Sequence, residues 1–136
     1  NKTAIDQLKL KHPHLNLKFS DLKNLNYGDG LFDHIVCNAV LHFAKTKEDF
    51  CKMLNELHRV LKVNGTLFIR MTSIFGLENL AISKDEQHQL PDGSHRFLLT
   101  QTLIQQLDTK FQFLEPLKTV NVDNLRCMST LILKKN

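Results

Sequence analysis

An α/β fold on a mostly parallel sheet, finished at its carboxyl-terminal edge by an antiparallel pair, is predicted from three observations. From Thr46 to Leu61 the apolar residues Phe50, Met53, Leu54, Leu57 and Leu61 fall on one helical face. That helix stands between two β-rich runs, "FDHIVC" and "TLFIRM", and the second has the nearly continuous apolar middle of a buried parallel strand. Near the carboxyl end, the extended stretches around Phe111 and in "CMSTLILKK" are joined by "EPLKTVNVDNL" instead of a helix, which predicts an antiparallel pair.

Taken in order, "NKTAIDQLKLKHP" places Ala4, Ile5 and Leu8 at helical spacing and stops at Pro13. "LNLKF" alternates Leu15, Leu17 and Phe19 with Asn16 and Lys18, the period of a strand, and "SDLKNLNYGDG" is a loop punctuated by Gly28 and Gly30. "FDHIVC" is a strand closed by Asn38. The helix after it takes Thr46 as its N-cap, with Asp49 near the capping-box position. Asn64 and Gly65 then turn the chain into "TLFIRM". Between Thr72 and Leu99 the pattern dissolves, with Gly76 and Gly93 as breaks and "PDG" at residues 91–93 as a tight turn. A connection of this length, about residues 73–98, is expected to be a lid or insertion. A short amphipathic helix follows from Thr100 to Asp108 on Leu103, Ile104 and Leu107. The whole order is α, β, β, α, β, loop, α, β, β, which argues for crossover helices on a parallel sheet.

A chain of 136 residues, 42% hydrophobic and 24% charged, supports one core and one domain spanning residues 1–136. Its net charge of +4 is scattered from Lys2 to Lys135 without a basic stripe or interleaved aromatics, so no nucleic-acid partner is expected. No apolar run approaches the roughly 18 residues of a membrane span, so no membrane partner is expected either. Cys37, Cys51 and Cys127 lie far apart without a CxxC pair, which reads as buried thiols in a reducing, cytoplasmic compartment. The seven histidines show no pair at ligand spacing, and no metal site is expected.

Four segments carry a pattern jointly: "FSDLKNL" (residues 19–25), "LFDHIVCNAVLHF" (31–43), "MLNELHRVLKVNGTLFIR" (53–70) and the closing strand pair. In that order and spacing the chain resembles the class I S-adenosylmethionine-dependent methyltransferases over essentially its whole length. The resemblance implies a Rossmann-like, doubly wound fold, S-adenosylmethionine as cofactor and methyl transfer to a small-molecule substrate.

It also implies roles for particular residues. Asp21, in the loop after the family's third strand, would accept from the adenine amino group, with Leu22 as an apolar wall; the plain alternative for Asp21 is a turn cap. Past the carboxyl end of the family's fourth strand, where ligands of open α/β sheets sit, Asn38, Ala39 and Val40 would pass beside the methionine moiety. His42 and Phe43 would face cofactor or substrate, and His42 is the one candidate base. The alternatives are a histidine satisfied by backbone and a packing phenylalanine. Arg70, His95, Arg96, Asn124 and Arg126 are candidate substrate contacts, each with a reading as an ordinary surface or turn residue.

The chain departs from the family in two places. The family's first strand with its Gly-rich turn is not found among these residues, nor is the acidic residue that would bind the ribose, since Asn1 already opens a helix. The chain reads as the family without its amino-terminal strands, which would leave two strands with unpaired edges. Where relatives show Pro-Gly-Gly, this chain has "VNG" at residues 63–65, which still permits the positive φ of the turn. A nicotinamide-dependent dehydrogenase would need its own Gly fingerprint, equally absent. The alternative function is a truncated, non-catalytic binding module.

Overall fold

The sheet grows from the segment on which the sequence pattern is strongest. Thr46 caps helix α2 (Lys47–Val60), its hydroxyl accepting the Asp49 N–H at 3.1 Å, and Glu48 and Asp49 in the first turn favour the positive end of the helix dipole. Strand β1 (Phe32–Asn38) enters this helix through a single 3₁₀ turn (Leu41–Phe43), and β2 (Leu61–Ser73) leaves it without a linking residue. β1 and β2 pair in parallel, with Asn38 opposite Arg70.

The computed structural model describes residues 1–77 and 87–136. Its remaining elements are α1 (Lys2–Lys11), β3 (Gln87–Gln89), β4 (His95–Phe97), α3 (Gln101–Leu107), β5 (Phe111–Phe113), β6 (Lys118–Val122) and β7 (Arg126–Lys135). The main sheet runs β1-β2-β7-β5, and β6 also pairs with β7. β7 is antiparallel to β2 from Thr66↔Lys134 to Ser73↔Cys127. β5 and β6 are antiparallel to its two halves. The parallel part is thus carried by β1 and β2, and the antiparallel edge by β5 and β6, with β7 one strand further in than the expected pair would put it. "KTVNV", part of the expected link, is itself a strand.

Period two puts Leu67, Ile69 and Met71 of β2 on one face with Leu131 and Leu133 of β7, all almost fully buried. They share a cluster with Phe50, Leu54 and Leu57 of α2 and Leu103 and Leu107 of α3. Each such side chain contributes roughly 1.5–3 kcal/mol on leaving water. Phe50 stacks on Phe97 at 5.0 Å between ring centres. Gly65 is required by close approach and not by φ. A Cβ there would lie 2.8 Å from the Lys62 carbonyl and 2.9 Å from that of Asp33, while Asn64 takes the positive φ of 63°.

Two expectations change. Leu15–Phe19 is not a strand: no described strand lies beside it to complete a hydrogen-bond ladder, and Phe19 is 61% exposed. The irregular region contains an antiparallel hairpin, β3–β4, turned at Asp92–Gly93, with Gly93 at φ 80°. Of the expected lid, residues 78–86 lie outside the described residues. Leu90, Phe97 and Leu98 are buried in the core, and Ser73 bridges to Leu99.

The loop before β1 is tied down from α2. Arg59 donates to the carbonyls of Leu25 (3.0 Å) and Tyr27 (2.8 Å) and pairs with Asp29 (2.7 Å) and Glu56 (2.8 Å). Glu56 accepts the Leu25 N–H at 2.7 Å. Hydrogen bonding from Arg59, with the Leu25 N–H adding to it against a smaller cost of burial, holds the Glu56 carboxyl down to about 2.

Candidate functional site

At the carboxyl end of β1 the chain stops being strand for a local reason. Asn38 is exposed, and Ala39 follows in the left-handed region at φ 58°, its N–H donated to the Arg70 carbonyl at 2.8 Å. A non-glycine residue there is strained by about 1–2 kcal/mol, and such strain gathers at functional sites. The turn throws Val40 outward and drops Leu41 and His42 into the core.

His42 is 4% exposed, and its Nδ1 accepts the Thr72 N–H at 3.3 Å. A ring nitrogen that accepts carries no proton, so the neutral imidazole holds its proton on Nε2. Burial first, then the positive charges of Arg96 and Arg126, push its pKa down to about 4. His42 is therefore a neutral donor near pH 7, and the expected role as a base does not suit this geometry: the nitrogen that could accept is already occupied.

Phe43 packs edge-on against His42 at 4.7 Å, and the Arg96 guanidinium lies 4.7 Å over its ring. Arg96 is held on β4, where its Nη1 donates to the His95 carbonyl at 2.7 Å and its Nε is buried without a partner. Gln87 on the neighbouring strand donates to the Ala44 carbonyl at 2.9 Å, fastening the hairpin to the turn after β1. Arg126 opens β7 and lies 3.9 Å from Asp92 in the hairpin turn. Asp92 in turn accepts the N–H (2.9 Å) and hydroxyl (2.5 Å) of Ser94, which, with Arg126 and Arg96 behind them, hold its carboxyl below the usual range.

The fold thus brings Asn38, Ala39, Val40, His42, Phe43, Arg96 and Arg126 to one end of the sheet, with Arg70 beside Asn38 in register. Other expected residues stand apart. Asp21 is exposed and accepts the Lys23 N–H at 2.9 Å, which is the turn-cap alternative; Leu22 packs against the core. Asn124 has φ 56° in the β6–β7 turn and exchanges hydrogen bonds with Asn121 at 2.8 and 3.0 Å, so it is a turn residue. His95 enters through its backbone carbonyl alone among the hydrogen bonds described. Thr72, Asp92 and Ser94 stand beside these residues and were not among the expected ones; the Asp-x-Ser spacing after Pro91 was the available signal. Two concave surfaces lie elsewhere: about 420 Å³ beside Ile104, Phe113 and Leu117, and about 260 Å³ between α2 and α3.

A family model described as a methyltransferase domain matches residues 1–69. Among solved structures, the chain is similar to a SAM-dependent methyltransferase from Methanosarcina mazei, with a TM-score of 0.76 and 16% identity over 99% of this chain and 78% of that one. It is similar to the N-methyltransferase NodS from Bradyrhizobium japonicum WM9 in complex with S-adenosyl-L-homocysteine (TM-score 0.66, 13% identity, 97% of this chain, 61% of that one). The cyclase SpnF has the same fold too (0.71, 17%, 98% and 62%). At these identities the likeness is one of fold, and the chain spans 61% to 78% of the three lengths. No curated protein matches the sequence significantly.

Proposed function

From the premise that the chain belongs to the methyltransferase-domain family, we propose that it serves S-adenosylmethionine-dependent methyl transfer to a small-molecule acceptor. One observation carries the proposal: inside the family-matched residues, β1 ends in an exposed Asn38, a left-handed Ala39 and an outward Val40, at the sheet end where open α/β folds hold ligands. The strained turn presents an amide and an apolar side chain together, a fit for one wall of a nucleoside-amino-acid ligand. NodS, solved with S-adenosyl-L-homocysteine, supports that choice of cofactor.

When bound, the cofactor supplies the activated sulfonium methyl, which an acceptor lone pair displaces in line. Asn38, Ala39 and Val40 are the residues we assign to its methionine end. For Asp21, Oδ2 is the carboxylate oxygen not used by the turn and the one to receive the adenine amino group, with Leu22 beside it. His42, neutral and fixed by Thr72, positions the turn. Phe43 with Arg96 and Arg126 forms the acceptor side, and Arg70 lines the rim. Proximity and orientation do most of what such a displacement needs. The free thiols Cys37 and Cys51 support a reducing, cytoplasmic setting.

A second reading, a non-catalytic binding module, is favoured by one observation. β1 pairs on one side only among the described residues, and Val36 on it is 73% exposed. Titration calorimetry with S-adenosyl-L-homocysteine separates the two. We expect saturable heat, lost in Ala39→Val; no heat from folded protein overturns the enzyme reading in favour of the module.

A further inference from the structure

We infer that the methyl acceptor carries a carboxylate, held bidentate by the Nε/Nη2 edge of Arg96 with Arg126 as a second positive charge. This rests on the methyl-transfer reading above. Three observations carry it.

Arg96 is only partly satisfied. Its Nη1 reaches the His95 carbonyl at 2.7 Å, while its Nε is buried with no acceptor and no described residue accepts from Nη2. A buried N–H without an acceptor is rare in folded proteins and points to a missing partner. Nε–H and one Nη2–H lie along the same edge of the guanidinium and point the same way, the fork that matches the two oxygens of a carboxylate.

The head is also placed. The Arg96 guanidinium carbon lies 4.7 Å over the centre of the Phe43 ring, which keeps the charge against the turn after β1. Phe43 immediately follows His42 in the turn after β1, so a carboxylate on Arg96 sits beside the proposed transfer site.

Charge is unbalanced there. Asp92 is the carboxylate described near both arginines. Its Oδ1 is occupied by Ser94, and its Oδ2 is 3.9 Å from Arg126. Two guanidinium groups thus share one acid, with no acid hydrogen-bonded to Arg96 among the described residues.

The test observes the arginine directly. The ¹H–¹⁵N signal of the Arg96 side-chain Nε, identified by its loss in Arg96→Lys, is followed while the protein is titrated with benzoate, neutral benzamide and inorganic phosphate. We expect benzoate to move the signal and benzamide to leave it. Read by titration calorimetry, Arg96→Lys, which keeps the charge and loses the fork, should weaken benzoate at least about tenfold, and Arg126→Gln about two- to fivefold. Thermal melts of both variants report folding, and the wild-type titration stands even if one variant misfolds. A silent Arg96 signal, a response to phosphate alone, or a Lys variant that is folded and binds equally well overturns the carboxylate. Calorimetry with S-adenosyl-L-homocysteine is run beside it. If that molecule binds while benzoate leaves Arg96 unmoved, the carboxylate inference fails alone. If benzoate moves Arg96 and the nucleoside does not bind, the anion site stands and its tie to methyl transfer fails.

Discussion

Helix α1 with the segment behind it, and the β2–β7 pair, both carry apolar residues at the spacing of regular structure, yet their surroundings differ completely. Leu10 is 85% exposed and α1 buries no residue, whereas Leu67 and Leu133 are fully enclosed. The amino-terminal region has its own cap, with Asn1 accepting the Thr3 N–H at 3.0 Å, and among the described residues no layer buries it. The sheet pair has α2 and α3 in the same cluster. An amphipathic period therefore tells which face favours burial, and says nothing of whether a surface is present to receive it.

The largest test of this contrast is truncation on each side. Phe50→Ala should cost about 3–5 kcal/mol in urea unfolding, because it removes the ring stacked on Phe97 and leaves a cavity. Leu10→Ala should stay within about 0.5 kcal/mol, and a cost near that of Phe50→Ala would mean that α1 is packed after all.

Acid should act on the sheet half next. His42 has its pKa lowered to about 4 from 6.5, so between those values the unfolded chain binds a proton that the folded one refuses. Stability is then full above pH 6.5 and falls as pH drops toward 4, by roughly 3 kcal/mol at most. Denaturation curves of His42→Gln should lose this slope; an unchanged slope would show that His42 titrates freely. Glu56 adds a second loss at lower pH: its pKa is held near 2, so its contribution is present above the ordinary carboxyl range and disappears as pH falls toward 2.

Ala39 offers a smaller effect of either sign. Ala39→Gly should raise stability by up to about 1 kcal/mol by relieving the positive φ, and Ala39→Val should lower it by about 1–2 kcal/mol, both read by thermal melting. Finally, Arg59→Ala should release the loop over residues 25–31, with faster amide exchange at Leu25 and no change at Leu131 or Leu133. Exchange that accelerates equally in both places would join the two regions into one unit.

Legibility follows the same division. Thr46, Phe50, Leu57 and the continuous apolar middle of "TLFIRM" were readable because their partners are local or lie within one run of the chain. "LNLKF" alternates with the period of a strand and is not one, since a strand exists only with a neighbour to bond. His42 was readable as a candidate but not as a donor. Its tautomer and its lowered pKa come from Thr72, Arg96 and Arg126, which are 30, 54 and 84 positions away in the sequence. The pairing of Arg96 with Phe43, and the orphaned Nε behind it, have no sequence signature at all.

By itself, then, the sequence determined the α/β class, the helix between Thr46 and Leu61, the break at Asn38 and the family pattern in "LFDHIVCNAVLHF", because helix caps and apolar periods are local physics. Tertiary structure decided which apolar faces are covered, that β7 lies inside the sheet, and that the charged side chains of a distant hairpin and a late strand meet at the end of β1. Those outcomes depend on which surfaces meet and on burial, and both arise only when segments far apart in the chain are brought to within a few ångströms.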